Sequence, residues 1–260
     1  MSEQTANRVV CEHMGPDKAV VVYEGVICQV GAAALDQHLE SLFGYYQYQR
    51  VDLRLESPGG SVEAMNYMLR QISRYEQDGK AVAVHTTFLC ASAAAVLLAM
   101  GQWGERRVDQ STALLFHTAR VDSNLQGMTA AISNNLSQTL LVADRRLIST
   151  LVGRMLHETG SEQALMELVR TRLQQIESDW NRLESILGFS GSGAPGKGRP
   201  EWMRELAKLA RPEMADGKFI AALKKHLYLR MQRDMRMDLR EAYCLCLIDE
   251  VGDLLCKTRQ

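Results

Sequence analysis

Val51, Leu53 and Leu55 alternate with Asp52, Arg54 and Glu56, the period of two that predicts a half-buried strand. Ser57-Pro58-Gly59-Gly60 ends it, because the residue before proline stays extended and paired glycines open backbone shapes closed to other residues. Val62, Met65, Met68, Leu69 and Ile72 then recur at helical spacing. Ala81–Thr86 (AVAVHT) reads as another strand, and Ala93–Met100 (AAAVLLAM) as a buried helix with Ser92 at the junction. Ser111–Val121 (STALLFHTARV) predicts a short strand ending at His117. Nearer the N-terminus, Val20–Val26 (VVVYEGV) reads as the first core strand. Strands alternating with helices define an α/β chain.

Beyond His117 the pattern turns helical. Met128, Ile132, Leu136, Leu140, Leu147, Leu151 and Met155 share one helical face up to Gly160. Leu165, Val169, Leu173, Ile176, Trp180, Leu183 and Leu187 follow in steps of three and four, a heptad-like seam that fits either packing within one subunit or a coiled coil between subunits. Gly188–Pro200 (GFSGSGAPGKGRP) has the composition of an exposed linker. Its Gly191–Lys197 run nearly matches a phosphate-binding loop, but Gly198 stands where Ser or Thr is needed and no strand precedes it. Further helices are predicted over Glu201–Leu209 and around Phe219–Leu229.

Three chemical elements stand out. A serine before a helix is ordinarily an N-cap, a Gly-Gly pair ordinarily a turn, and a histidine at a strand end ordinarily structural. In combination they supply the parts of a serine acyl hydrolase. Ser92 would be nucleophile and His117 its base, with the backbone N–H groups of Gly60 and Ala93 as oxyanion donors.

The segments SPGGSV, CASAAAVLLAMG and LLFHTARV resemble the proteolytic subunit of Clp protease, the ClpP family. That family carries a histidine 25 positions beyond its serine, and Ser92 and His117 share this separation. Its catalytic aspartate lies in a segment to which RDMRMDLREAYCLCLIDEV aligns without a gap. Asp234 falls on the aspartate, Glu241-Ala242 on an EA pair, and Cys246 where glycine is usual. The resemblance implies the ClpP/crotonase fold of repeated β-β-α units with a long handle helix. It also implies a triad of Ser92, His117 and Asp234, a polypeptide substrate and a ring-forming homo-oligomer. An unfoldase ATPase partner is left open.

The chain departs from the family pattern at Ala94, where the family has glycine, and in a shortened N-terminal region. His117 and Asp234 lie 117 positions apart, far more than usual, which implies a helical insertion. The expected organisation is an N-terminal segment over residues 1–17, a core with handle helix over 18–160, an insertion over 161–228 containing the 188–200 linker, and the rest of the core over 229–260. The function implied is a serine endopeptidase. A catalytically silent scaffold or partner subunit is the alternative, followed by a crotonase-type acyl-CoA enzyme.

A net charge of −1 with dispersed Lys and Arg gives no nucleic-acid footprint. The longest uncharged apolar run, Phe88–Met100, is too short to span a bilayer, and MSEQTANRVV lacks a signal-peptide core, so a cytoplasmic protein without membrane attachment is expected. Six cysteines without a secretory pattern read as reduced thiols. Cys244 and Cys246 lack a second ligand pair, and Cys90 should point away from Ser92, so no metal or other cofactor is expected. His85 reads as a wall residue, and His13, His38, His157 and His226 have no partner that can be named from sequence.

Overall fold

The computed structural model describes residues 7–13, 15, 18–118, 120, 130–186, 199–211, 217–233 and 236–252. They divide into two compact units: residues 1–118, 230–239 and 247–260 in the first, and residues 119–229 with 240–246 in the second.

The first unit is built on a six-stranded sheet. Its strands are β1 (Arg8–His13), β2 (Ala19–Glu24), β3 (Arg50–Glu56), β4 (Ala81–Thr86), β6 (Arg106–Val108) and β8 (Glu250–Val251), in that spatial order. β1 runs antiparallel to β2, and every other neighbour is parallel. Parallel strands need crossovers, and three helices of this unit lie between them in sequence: α1 (Gln29–Glu40), α2 (Val62–Gln77) and α3 (Ala93–Ala99). α1 runs on into a π-helical turn over Ser41–Tyr45. The alternation in β3 appears as expected, with Val51, Leu53 and Leu55 fully buried. Ser61 caps α2, its side chain accepting from the Ala64 N–H at 3.2 Å.

Two features differ from expectation. Arg8–His13 forms an edge strand ahead of Val20–Val26, which therefore contributes the second strand, not the first. The strand that delivers Ser92 is also not Ala81–Thr86. A turn at Thr87-Phe88 separates β4 from β5 (Leu89–Ala91), which pairs in parallel with β7 (Ala113–Leu115) as a separate two-stranded sheet. β7 falls within the short strand predicted to end at His117, whereas the three residues of β5 carry too few positions to show a period.

One buried ion pair ties the C-terminal strand into this unit. Arg106 is 1% exposed, and its Nη2 lies 2.6 Å from Asp249 Oδ1. The same guanidinium donates through Nη1 to the Ala99 carbonyl and stacks on the Trp103 ring at 4.4 Å.

The second unit is helical. It contains α4 (Ala130–Thr159), α5 (Glu162–Ile186), α6 (Glu201–Leu209) and most of α7 (Lys218–Gln232). The exposed Ile132 and Val142 belong to the N-terminal part of α4, whereas Ile148, Leu151, Val152 and Met155 are buried towards its C-terminal end. α4 packs on α5, whose Leu165, Val169 and Leu173 are buried, and α5 packs on α6. Arg172 donates to the Tyr243 carbonyl, in the short helix α8 (Leu239–Cys244), and stacks on that ring at 4.4 Å. Cys246, where a glycine was expected from the family pattern, has φ +59°, a conformation that favours glycine.

Candidate active site

Ser92 sits in the turn between β5 and α3 with φ +58° and ψ −126°, one of three non-glycine residues with positive φ among those described. Such a conformation costs on the order of 1–3 kcal/mol and persists only where the surroundings impose it. Two backbone bonds do so: the Ser92 N–H donates to the Leu115 carbonyl at 2.8 Å, and the Val96 N–H donates to the Ser92 carbonyl at 3.2 Å. The Ser92 side chain makes no capping hydrogen bond. The ordinary N-cap reading, in which the hydroxyl accepts from the first helical turn, therefore does not hold.

The diglycine turn lies directly opposite. A Cβ on Gly59, at φ +99°, would stand 2.5 Å from the Ser92 Cβ and 2.7 Å from the Ala91 carbonyl oxygen. A Cβ on Gly60, at φ +146°, would fall 2.2 Å from the Ile27 carbonyl oxygen. Only glycine fits either position.

Three segments hold the turn there. The Ile27 N–H donates to the Gly59 carbonyl at 2.7 Å, and the Ser61 N–H donates to the Ile27 carbonyl at 2.8 Å. The Ser57 N–H donates to Leu89, and the Ala91 N–H donates back to Ser57. The buried Ser57 hydroxyl accepts from the Gly59 N–H at 3.0 Å. The Gly59 N–H is therefore used, while the Gly60 N–H has no hydrogen-bond partner among the described residues. Ala93 opens α3, and an N–H in the first helical turn has no intrahelical acceptor.

His117 lies two residues beyond β7, the strand that pairs with β5. Its Nδ1 is 2.7 Å from the Thr118 carbonyl oxygen. A carbonyl only accepts, so this bond needs a proton on Nδ1, and in the neutral ring Nε2 is then the accepting nitrogen that a general base requires. Among the described residues no carboxylate bonds this imidazole.

Asp234 lies outside the described residues, as do residues 188–198 of the predicted linker and the Gly191–Lys197 run. Residues 217–233 before Asp234 and 236–252 after it are described. The Thr118 N–H donates to the Met231 carbonyl at 3.3 Å, the Met237 N–H to the Leu114 carbonyl at 2.8 Å, and Arg236 Nη2 to the Thr112 carbonyl at 2.6 Å.

The other candidates separate from this cluster. Cys90 is fully buried, and burial pushes its thiol pKa far up, so it stays protonated beside the turn. His85 pairs with Asp109 at 3.0 Å. His226, in the helical unit, lies 3.7 Å from Glu205 and 3.4 Å from Glu241. Sequence reasoning missed Ile27, Ser57 and Thr118, which act through backbone groups or a short local bond and carry no side-chain pattern that would mark them.

The first unit thus combines a mostly parallel sheet with a strained serine that sits at a strand-to-helix junction and faces a diglycine turn. The Clp protease family model matches residues 6–167, more than half of the chain, and the chain belongs to that family. Its members are peptidases that generally form oligomeric rings. Comparison with curated proteins gave no match. Among the described residues no helix is long and apolar enough to cross a membrane.

Proposed function

We propose that this chain is a serine endopeptidase with Ser92 as nucleophile. The observation that carries the reading is the Ser92 side chain, which makes no capping hydrogen bond, held on a strained turn against the backbone of Gly59. In the proposed reaction the Ser92 oxygen attacks the scissile carbonyl while His117 Nε2 takes its proton. The N–H groups of Gly60 and Ala93 receive the oxyanion. His117 then returns the proton to the leaving amine, and water hydrolyses the acyl-enzyme by the same route.

Asp234 is proposed to orient His117. The bonds from Thr118 to Met231 and from Met237 to Leu114, on either side of Asp234, support that assignment. An aspartate there would also stabilise the imidazolium that forms as His117 takes the Ser92 proton.

The further proposals are a homo-oligomeric, ring-type assembly acting on polypeptide, an insertion over residues 161–228, and a cytoplasmic location. Family membership supports the assembly. The buried Cys90, Cys244 and Cys246, none of them in a disulfide, suit a reducing compartment.

Incubation of the purified full chain with a denatured polypeptide, read by mass spectrometry of new termini, tests the activity. Cleavage by wild type and none by Ser92→Ala is the expected result. Equal cleavage by both would remove Ser92 from the chemistry. Light scattering on the same samples should give a multiple of the 29.1 kDa chain mass.

A further inference from the structure

Glu56 ends β3 immediately before the Ser57-Pro58-Gly59-Gly60 turn. In the alternating pattern it occupies a polar, outward position, which suggests no role beyond solvation. Its carboxylate instead gathers four donors from one short segment. Oε1 accepts from the Thr87 N–H and the Thr87 hydroxyl, each at 2.6 Å. Oε2 accepts from the Phe88 N–H at 3.0 Å and the Leu89 N–H at 2.9 Å. Three consecutive backbone N–H groups converging on one anion form a nest, a concavity whose dipoles all favour negative charge.

The segment held this way is the turn that feeds the Ser92 strand. Leu89 begins β5, and its carbonyl accepts from the Ser57 N–H at 2.8 Å. The Ala91 N–H returns to the Ser57 carbonyl at 3.0 Å, and Ser92 follows. Glu56 and Ser57 therefore tie the two halves of the site together from adjacent positions: the side chain of one and the backbone of the other fix β5 against the diglycine turn. The tolerance there is small, since the Ser92 Cβ lies 2.5 Å from where a Gly59 Cβ would be.

We infer that Glu56 is a positioning residue for the nucleophile, setting the Ser92 hydroxyl against the oxyanion turn by anchoring residues 87–89. The inference rests on the serine-hydrolase reading above. A carboxylate is required because both oxygens each accept two bonds. A glutamine amide offers one accepting oxygen and would turn its N–H₂ group towards donors.

The test measures phosphonylation of Ser92 by a fluorophosphonate, resolved into the maximal rate and the half-saturating concentration, together with amide exchange at Thr87, Phe88 and Leu89. In Glu56→Gln the maximal rate is expected to fall about 100-fold, the loss an ångström-scale misplacement produces, while half-saturation stays within about threefold. The three amides should exchange faster than in wild type. Glu56→Asp, which keeps the charge on a shorter stem, should lie between the two. In Glu56→Ala, added formate should re-enter the nest and restore part of the rate, a response that a packing defect would not give.

Wild-type labelling with an undiminished rate in Glu56→Gln would overturn the inference and leave the hydrolase reading intact. Wild-type protein that fails to label, with residues 87–89 protected only when Glu56 is present, would instead defeat the hydrolase reading and reduce Glu56 to a loop anchor.

Discussion

Gly59→Ala tests the geometry of the site most sharply. An added Cβ would stand 2.5 Å from the Ser92 Cβ, 2.7 Å from the Ala91 carbonyl oxygen and 3.1 Å from the Ser92 hydroxyl oxygen. Carbon atoms in van der Waals contact sit about 3.5–4.0 Å apart, so the Ser92 Cβ or the Gly59 backbone has to give way by roughly 1 Å. Neither can do so freely, because Ser92 is bonded to Leu115 and Gly59 to Ile27. A displacement of that size at a reacting atom is worth about 100-fold in rate. The substitution also places alanine at φ +99°, which adds about 1–2 kcal/mol of backbone strain.

Gly79→Ala separates the two effects. Gly79 also has positive φ, at +75°, but a Cβ there meets nothing within 4 Å. Both variants should lower thermal stability, and only Gly59→Ala should slow fluorophosphonate labelling at Ser92. Labelling of Gly59→Ala within about threefold of wild type, at the same fold integrity, would refute the reasoning, because the close approach would then not position the nucleophile.

Ser92→Gly should abolish labelling yet raise stability in a denaturant titration by about 1 kcal/mol, because glycine adopts φ +58° without strain. Asp249→Ala strands the buried Arg106 guanidinium without its counter-charge and should destabilise the protein by about 3–5 kcal/mol in the same assay. The Cys90 thiol is raised from its ordinary value of 9.0, first by burial and then by the Glu56 charge. The unfolded chain therefore loses this proton before the folded one does. Stability is unaffected below the ordinary thiol range and falls as pH rises through it, by at most about 1.4 kcal/mol per pH unit. Cys90→Ala should remove that part of the alkaline loss in urea titrations run from pH 7 to pH 10.

Much of the site is legible in the residues because its parts are chemically unusual. SPGG interrupts a clean alternation, and a single serine precedes a run of small apolar residues that can only be a buried helix. α6 appears over the predicted Glu201–Leu209, since Trp202, Met203, Leu206 and Leu209 mark one face. β7 lies within the strand predicted to end at His117, whereas β5 is not legible, because a three-residue strand has no period to detect. The Arg106–Asp249 pair spans 143 positions and depends on β6 lying beside β8, which no local pattern encodes. Glu56 illustrates the same limit at the site itself: its position in an alternating strand says solvent, and only the fold brings the 87–89 amides to it. The orientation of His117 by the Thr118 carbonyl is likewise a backbone contact that sequence cannot display.

In the proposed chemistry Ser92 is an activated nucleophile served by His117. Labelling of the purified full chain with a fluorophosphonate, with the adduct mapped by mass spectrometry, tests it directly. One covalent adduct is expected, on Ser92, absent from both Ser92→Ala and His117→Ala. An adduct of equal yield in His117→Ala, or none on well-folded wild-type protein, would contradict it.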